Sequence, residues 1–340
     1  MRKTGYTIRE SGLMNIEMGN MKKELSRAYL ALGIVSFFWG TTYIAARIGV
    51  RHVPGFYFSG LRQLIAGSLL VGFFLLRGYR FPNLSTLLKI GIQGVLLLCL
   101  SNGLLTWSLQ YISSGLAAII SGLVPLFITL FSILMLRRVR FTWLMIAGLL
   151  TGFAGILTIF YEYLHELINP AFGFGVLLAF ISVLAWTSGT VITSRYKASL
   201  PIIFTAGLQM LTAGIVTLIV CLFSGQYISL NKIPVQSWYS LSYLVVFGSF
   251  LAYSAYVYAI SKLPPTLVSV YAYINPIVAV GLGWALLNEK MTLNIITGTV
   301  ITLAGVYLVN REYKKQEKGV DSREPGTSVT IKQQGGLLIK

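Results

Sequence analysis

Charge is what this chain has least of. Charged residues are 11% of its 340, where soluble domains carry about 25%, so a large water-soluble core is excluded. Acids are scarcest: Asp321 is the sole aspartate, and Glu10, Glu17, Glu24, Glu162, Glu166, Glu289, Glu312, Glu317 and Glu324 lie in the tails or near the ends of apolar runs. His52 and His165 fall in connections, so no acid or histidine stands mid-run to relay protons through a membrane. Cys99 and Cys221 both lie inside apolar runs, which excludes a disulfide framework or a thiolate metal site. No GxxxxGK[ST] loop is present, so ATP drive would need a partner, and no cofactor is expected.

What remains is apolar. Hydrophobic residues are 55% of the chain and mean hydropathy is +0.74. Ten runs are long enough for a bilayer, which takes about 20 residues per helix. They fall near 28–48, 56–76, 90–109, 114–136, 141–161, 172–194, 202–223, 238–260, 264–287 and 292–309. The sequence thus predicts an all-α integral membrane protein with short connections and no soluble catalytic domain. Residues 1–27 form a polar tail without the apolar core of a cleavable signal, and residues 311–340 are expected to be disordered.

The net charge of +17 suggests nucleic acid until its distribution is traced. If the N-terminus is cytoplasmic, the cytoplasmic face holds Arg77, Arg80, Lys89, Arg137, Arg138, Arg140, Arg195, Lys197, Lys262 and the basic residues of both tails. The other face holds Arg47, Arg51, Lys232 and Lys290. Such a bias sets topology in the cell membrane, with both termini cytoplasmic, and leaves no case for nucleic acid.

One segment is written twice. WSLQYISSGLAAIISGLVP (Trp107–Pro125) and YAISKLPPTLVSVYAYINP (Tyr258–Pro276) align without a gap at an offset of 151. Each belongs to a half of five runs, 28–161 and 172–310, and an odd number of crossings turns the second half over. Two inverted five-helix repeats are a secondary-transporter layout, with the site near the midplane between halves.

WGTTYIAARIG (Trp39–Gly49), FYFSGLRQLIAG (Phe56–Gly67), GLAAIISGLVPLF (Gly115–Phe127) and the stretch Val268–Val309 resemble the EamA family of the drug/metabolite transporter superfamily. The resemblance implies a ten-helix basket whose spans 1–4 and 6–9 line a cavity while spans 5 and 10 stand outside. It also implies an exporter or permease for amino acids, other metabolites or drugs. Family members typically place a glutamate after the span holding Pro276, as Glu289 stands here; the first-half equivalent is Arg138, so that role does not carry over.

Candidate solute-binding residues follow from chemistry inside the spans. Arg62 is the one ionisable residue deep in a run, and it either attracts an anionic solute group or clamps helix carbonyls. Trp39 and Trp186 occupy matching places in the two halves, as do Trp107 and Tyr258; with Thr42, Asn102, Tyr256 and Asn275 they supply aromatic faces and polar tips. Pro125 and Pro276 are matched helix breakers, taken with Glu289 as hinge or gate; Glu289 could instead pair with Lys290 or fix its turn. Gly148, Gly152, Gly155, Gly298 and Gly305 give spans 5 and 10 small faces that suit intramolecular packing or a homodimer alike. The leading expectation is a secondary transporter of a small organic solute working by alternating access. A membrane-embedded enzyme and a non-transporting receptor or scaffold are the alternatives.

Overall fold

The computed structural model describes residues 4–321 except 137–141, 164–165, 167, 197–199, 264 and 270. Arg137, Arg138, Arg140, His165, Lys197 and the tail beyond Asp321 therefore lie outside the described residues. Among the described residues the chain has no strand, a short 3-10 turn at Leu230–Lys232, and ten long helical segments. They are α1 (Thr4–Gly49), α2 (Gly55–Leu76), α3 (Leu84–Ser108), α4 (Ser114–Ser121 and Val124–Leu136), α5 (Trp143–Glu162), α6 (Pro170–Arg195), α7 (Ile202–Ser224), α8 (Val235–Lys262), α9 (Pro265–Val268 and Tyr271–Leu287) and α10 (Leu293–Asp321). Every segment except α9 carries a window long and apolar enough to cross a membrane, and Tyr271–Leu287 is a shorter apolar helix.

At the ends, the polar residues ahead of the first span are helical, since α1 is continuous from Thr4 while its apolar span begins at Lys23. The disorder expected from Arg311 does not begin there, because α10 runs through REYKKQEK to Asp321. Lys, Glu, Gln and Arg are good helix formers, and an established helix propagates through them cheaply.

Glycine sets which helices touch. Gly60 and Gly67 of α2 hold the repeat positions of Gly207 and Gly214 of α7, and their contacts are reciprocal. A Cβ on Gly67 would strike the backbone N of Leu211, and one on Gly214 the backbone N of Leu64. One on Gly60 would meet Leu218 at 2.9 Å, and one on Gly207 would meet Leu70 at 2.9 Å. Low numbers in one helix meet high numbers in the other, so the equivalent helices cross antiparallel about a pseudo-two-fold axis. The same exchange joins α5 to α10, where Gly148 faces Gly305 and Gly155 faces Gly298. The two halves are inverted repeats. The small faces of spans 5 and 10 are thus spent on each other within the chain.

Both equivalent third helices leave the α form. Val95–Asn102 in α3 and Leu244–Tyr253 in α8 are π-helical. A π stretch adds a residue per turn, rotates everything beyond it and often marks a functional site. The fourth helices break differently. In α4 the break falls at Gly122 and Leu123, so Pro125 enters the second piece in its first turn, where its missing N–H costs nothing. In α9 the chain breaks before Tyr271 and Pro276 sits inside the helix. The matched prolines therefore do not make matched breaks, because glycine is available at position 122 whereas tyrosine occupies the equivalent Tyr273.

Candidate functional site

A cavity of about 80 Å³ lies between the halves. α1 gives it Trp39, Thr42, Tyr43 and Ala46; α2 gives Arg62 and Gln63; α4 gives Ser121 and Val124. From the π stretch of α3 come Leu98, Ser101 and Asn102, and from that of α8 come Gly248, Ser249 and Tyr253. α6 adds Ser182, Val183 and Trp186, and α9 adds Tyr271 and Asn275. Nothing in this wall comes from α5, α7 or α10. The expectation that span 7 would line the cavity is corrected. The glycine crossing draws α7 against α2, and Gly94 of α3 abuts the Gln209 carbonyl, so the helix sits behind the wall.

The π stretch of α8 anchors two of the expected residues. The Arg62 Nε donates to Ser249 Oγ at 2.9 Å, and the indole of Trp39 donates to the Gly248 carbonyl at 3.3 Å. A Cβ at Gly248 would stand 2.5 Å from the Arg62 Nη2 and 2.9 Å from Thr42, so only glycine lets the guanidinium lie there. On the facing π stretch, Asn102 Oδ1 accepts from Ser59 Oγ at 3.1 Å and from Gln63 Nε2 at 3.3 Å. Asn275, its amide NH2 toward the carbonyls of Ser36 (3.0 Å) and Tyr271 (3.2 Å), ties α9 to α1.

Towards the face where α1 begins, the cavity is floored by rings. Trp39 packs against Trp186 at 5.2 Å edge-on, Tyr256 at 5.1 Å and Tyr271 at 5.0 Å between centroids. Tyr256 is fully buried beneath them and shares a 2.6 Å hydrogen bond with Thr190. Beside it, Tyr253 donates to Gln209 Oε1 at 2.8 Å, and Gln209 donates to Gln93 Oε1 at 2.7 Å. The same two glutamines border a separate recess of about 230 Å³ with Tyr196 and Lys262. Rings and amides thus stand between that recess and the central cavity.

At the opposite face a vestibule of about 320 Å³ is lined by Arg47, Arg51, Gln110, Ser113 and Glu289. Leu109 belongs to the walls of both spaces, and its carbonyl accepts from Arg47 Nη1, so this contact stands between them. Glu289 accepts from the N–H of Ser114 at 2.8 Å, the Ser114 hydroxyl at 2.7 Å and the N–H of Gly115 at 3.1 Å. An acid from the second repeat therefore caps the first turn of α4, where a helix presents free N–H groups and partial positive charge. Asn288, in the left-handed region at φ 54°, turns the chain so that the Glu289 N–H reaches the Gly283 carbonyl at 3.1 Å. Lys290 does not pair with Glu289. It bonds Glu166 at 3.0 Å, and that hydrogen bond holds its ammonium above its ordinary value.

Of the expected solute-binding residues, Trp39, Thr42, Arg62, Asn102, Trp186 and Asn275 meet in the cavity wall, and Tyr256 lies just below it. Trp107 and Tyr258 are placed elsewhere. Trp107 packs against Phe56 at 6.0 Å and Phe174 at 5.4 Å, and half-buried Tyr258 is not among the residues of the central cavity wall. Both follow the π stretches, where the extra residue per turn rotates the helix beyond them. Gln63, Ser101, Ser182 and Ser249 were missed as wall residues. Small hydroxyls in apolar runs carry no signal of the face they occupy.

A ten-helix, inverted-repeat membrane protein with a cavity between its halves is the class that fold and site define. The chain belongs to the EamA-like transporter family, whose pattern matches residues 26–161 and again 173–311. It is 37% identical over 274 residues to the uncharacterized inner membrane transporter YedA of Escherichia coli K12, covering 79% of this chain and 86% of that one. It is 25% identical over 280 residues to the uncharacterized transporter YoaV of Bacillus subtilis, covering 82% and 95%. The WAT1-related protein At3g02690 of Arabidopsis thaliana, described as chloroplastic, is 25% identical and is covered over 67% of its length. A solved crystal structure at 20% identity superposes with a TM-score of 0.61, over 84% of this chain and 98% of the other, and supports the fold alone.

Proposed function

We propose that this transporter is a secondary carrier that moves a small organic metabolite across the cytoplasmic membrane by alternating access. Both termini are cytoplasmic and export is the working direction. The observation that carries this reading is the cavity between inverted halves, flanked at one end by the Arg47–Leu109 contact and at the other by the Trp39, Trp186, Tyr256 and Tyr271 rings, which we read as its two gates. Two thin closures around one site are what alternating access requires, each opening while the other holds. Both π stretches supply wall residues, and irregular helix in lipid is tolerated only where it lines a cavity or is buried in protein.

Among the described residues, the wall holds no Asp, Glu or His. A carboxylate relay is therefore not part of the proposal, and the driving force is the solute's own gradient, an exchanged solute or the solute's own protonation. At about 80 Å³ the cavity is far smaller than the roughly 300–1,000 Å³ that drug-sized ligands occupy, which favours a small metabolite over a bulky drug. A homodimer through spans 5 and 10 would have to use their outer faces, where Leu150, Phe153 and Val300 are exposed.

The test is counterflow into proteoliposomes holding the purified full chain, screened over amino acids, short organic acids, nucleosides and sugars. One class should accumulate against a preloaded unlabelled pool and vanish with Gly248→Leu, which fills the space of the guanidinium. Absence of flux for every class, from protein that binds one of them, would leave a receptor or scaffold instead.

A further inference from the structure

Among the described residues, Arg62 is the one charged side chain in the cavity wall, and no acid there balances it. It is 5% exposed, its Nε is held by Ser249, and neither Nη has a partner among the described residues. Two basic groups at interhelical contacts do have acids, Lys262 with Glu24 at 2.9 Å and Lys290 with Glu166 at 3.0 Å, and Arg47 at least spends a nitrogen on the Leu109 carbonyl. Nor does the fold require a cation at this place. The repeat-equivalent residue on α7 is Gln209, a neutral amide bonded to Gln93 and Tyr253 behind the wall. The packing that α7 achieves with an amide, α2 leaves with two unpartnered Nη amino groups in the cavity wall.

Asn102 adds a third donor. Its Oδ1 is occupied by Ser59 and Gln63, which fixes the amide with Nδ2 outward, and that nitrogen has no partner among the described residues. Donors and one positive charge therefore converge on the cavity from facing helices, with Trp39, Trp186, Leu98 and Val183 as its apolar side.

We propose that the cavity binds a small organic monoanion, a carboxylate meeting Arg62 and Asn102 with a short apolar body against the indoles. This deepens the transport reading and rests on it. A guanidinium pairs a carboxylate through two parallel hydrogen bonds. One guanidinium balances one charge, so a phosphate ester would leave its second charge unpaired, and a cation would meet Arg62 with no acid to receive it. Size sets the body: at about 80 Å³ the cavity is smaller than the roughly 150 Å³ that holds benzene in an engineered apolar void, so a few carbons fit.

The experiment takes the full chain in detergent and compares propionate, its neutral isostere propionamide, and propylammonium at equal ionic strength, reading the melting temperature. Propionate raises it and the other two do not. Arg62→Gln weakens propionate at least about 10-fold, while Arg62→Lys keeps the preference at reduced affinity. Because Arg62→Gln also cuts the tie to Ser249 and could unfold the protein, Asn102→Asp is the second variant: it supplies the missing negative charge and abolishes the propionate effect. Equal stabilisation by propionamide, or unchanged propionate affinity in folded Arg62→Gln or Asn102→Asp protein, overturns the proposal. The two readings fail separately. Counterflow of a solute indifferent to Arg62→Gln leaves transport standing without the anion site; Arg62-dependent propionate binding without flux does the reverse.

Discussion

Glu289 joins the two repeats through a single side chain. Its carboxylate takes three hydrogen bonds from Ser114 and Gly115, and it sits where the α4 dipole favours negative charge. Charge-assisted bonds of this kind are stronger than neutral ones, and a helix cap contributes about 1 kcal/mol. Glu289→Gln keeps the length but loses the charge and turns one oxygen into a donor facing donors. The expected cost is about 1–3 kcal/mol, the range for leaving buried polar groups unsatisfied. A thermal melt of the variant in detergent should fall by several degrees, and a melt equal to wild type would mean the cap carries no stability. The residue was visible in the sequence as a conspicuous acid, but its partner was not. Ser114 lies 175 residues away, and the nearer Lys290 offered a plausible ion pair that the turn at Asn288 points elsewhere.

Helices here are positioned by what they lack. At the α2–α7 crossing, glycine lets backbones touch, and in lipid, where no hydrophobic drive separates helix from tail, such close packing supplies the association. Gly214→Val would drive a side chain into the Leu64 backbone. Overpacking costs about 1–3 kcal/mol or more, and here the obstacle is main chain, which cannot rotate away. By contrast Gly33 has nothing within 4 Å of its would-be Cβ. Gly33→Ala should leave the melting temperature unchanged or slightly higher, since alanine favours helix by up to about 1 kcal/mol. Size-exclusion profiles and melts of the pair check this, and equal behaviour of both variants would refute the crossing as a packing determinant. The sequence showed the helices because runs of about 20 apolar residues have few alternatives. It hid the π stretches, since VLLLCLSN and LVVFGSFLAY carry no pattern that distinguishes them from ordinary helix. Trp107 and Tyr258 both lie just beyond those stretches.

Across the whole molecule, inversion is legible twice: as a repeated segment in the sequence and as antiparallel glycine crossings in the structure. The orientation of the bundle in the membrane rests on charge. The loop between α2 and α3 carries Arg77 and Arg80, while its repeat equivalent between α7 and α8 carries Lys232. In one orientation the basic loop is cytoplasmic and the other faces out, as the positive-inside bias demands. Cys99 and Cys221 are buried, so single cysteines introduced at exposed positions can be read against them. Arg80→Cys should react with an impermeant maleimide only after the membrane is opened. Tyr227→Cys, in the equivalent loop, and Arg51→Cys, between α1 and α2, should react in intact cells. If residues 80 and 227 are labelled from one face, the halves are not inverted across the bilayer; if all three patterns are exchanged, inversion holds and the termini lie outside. The two outcomes separate the geometry of the repeat from its orientation, because the first depends on the parity of five crossings and the second on a few arginines.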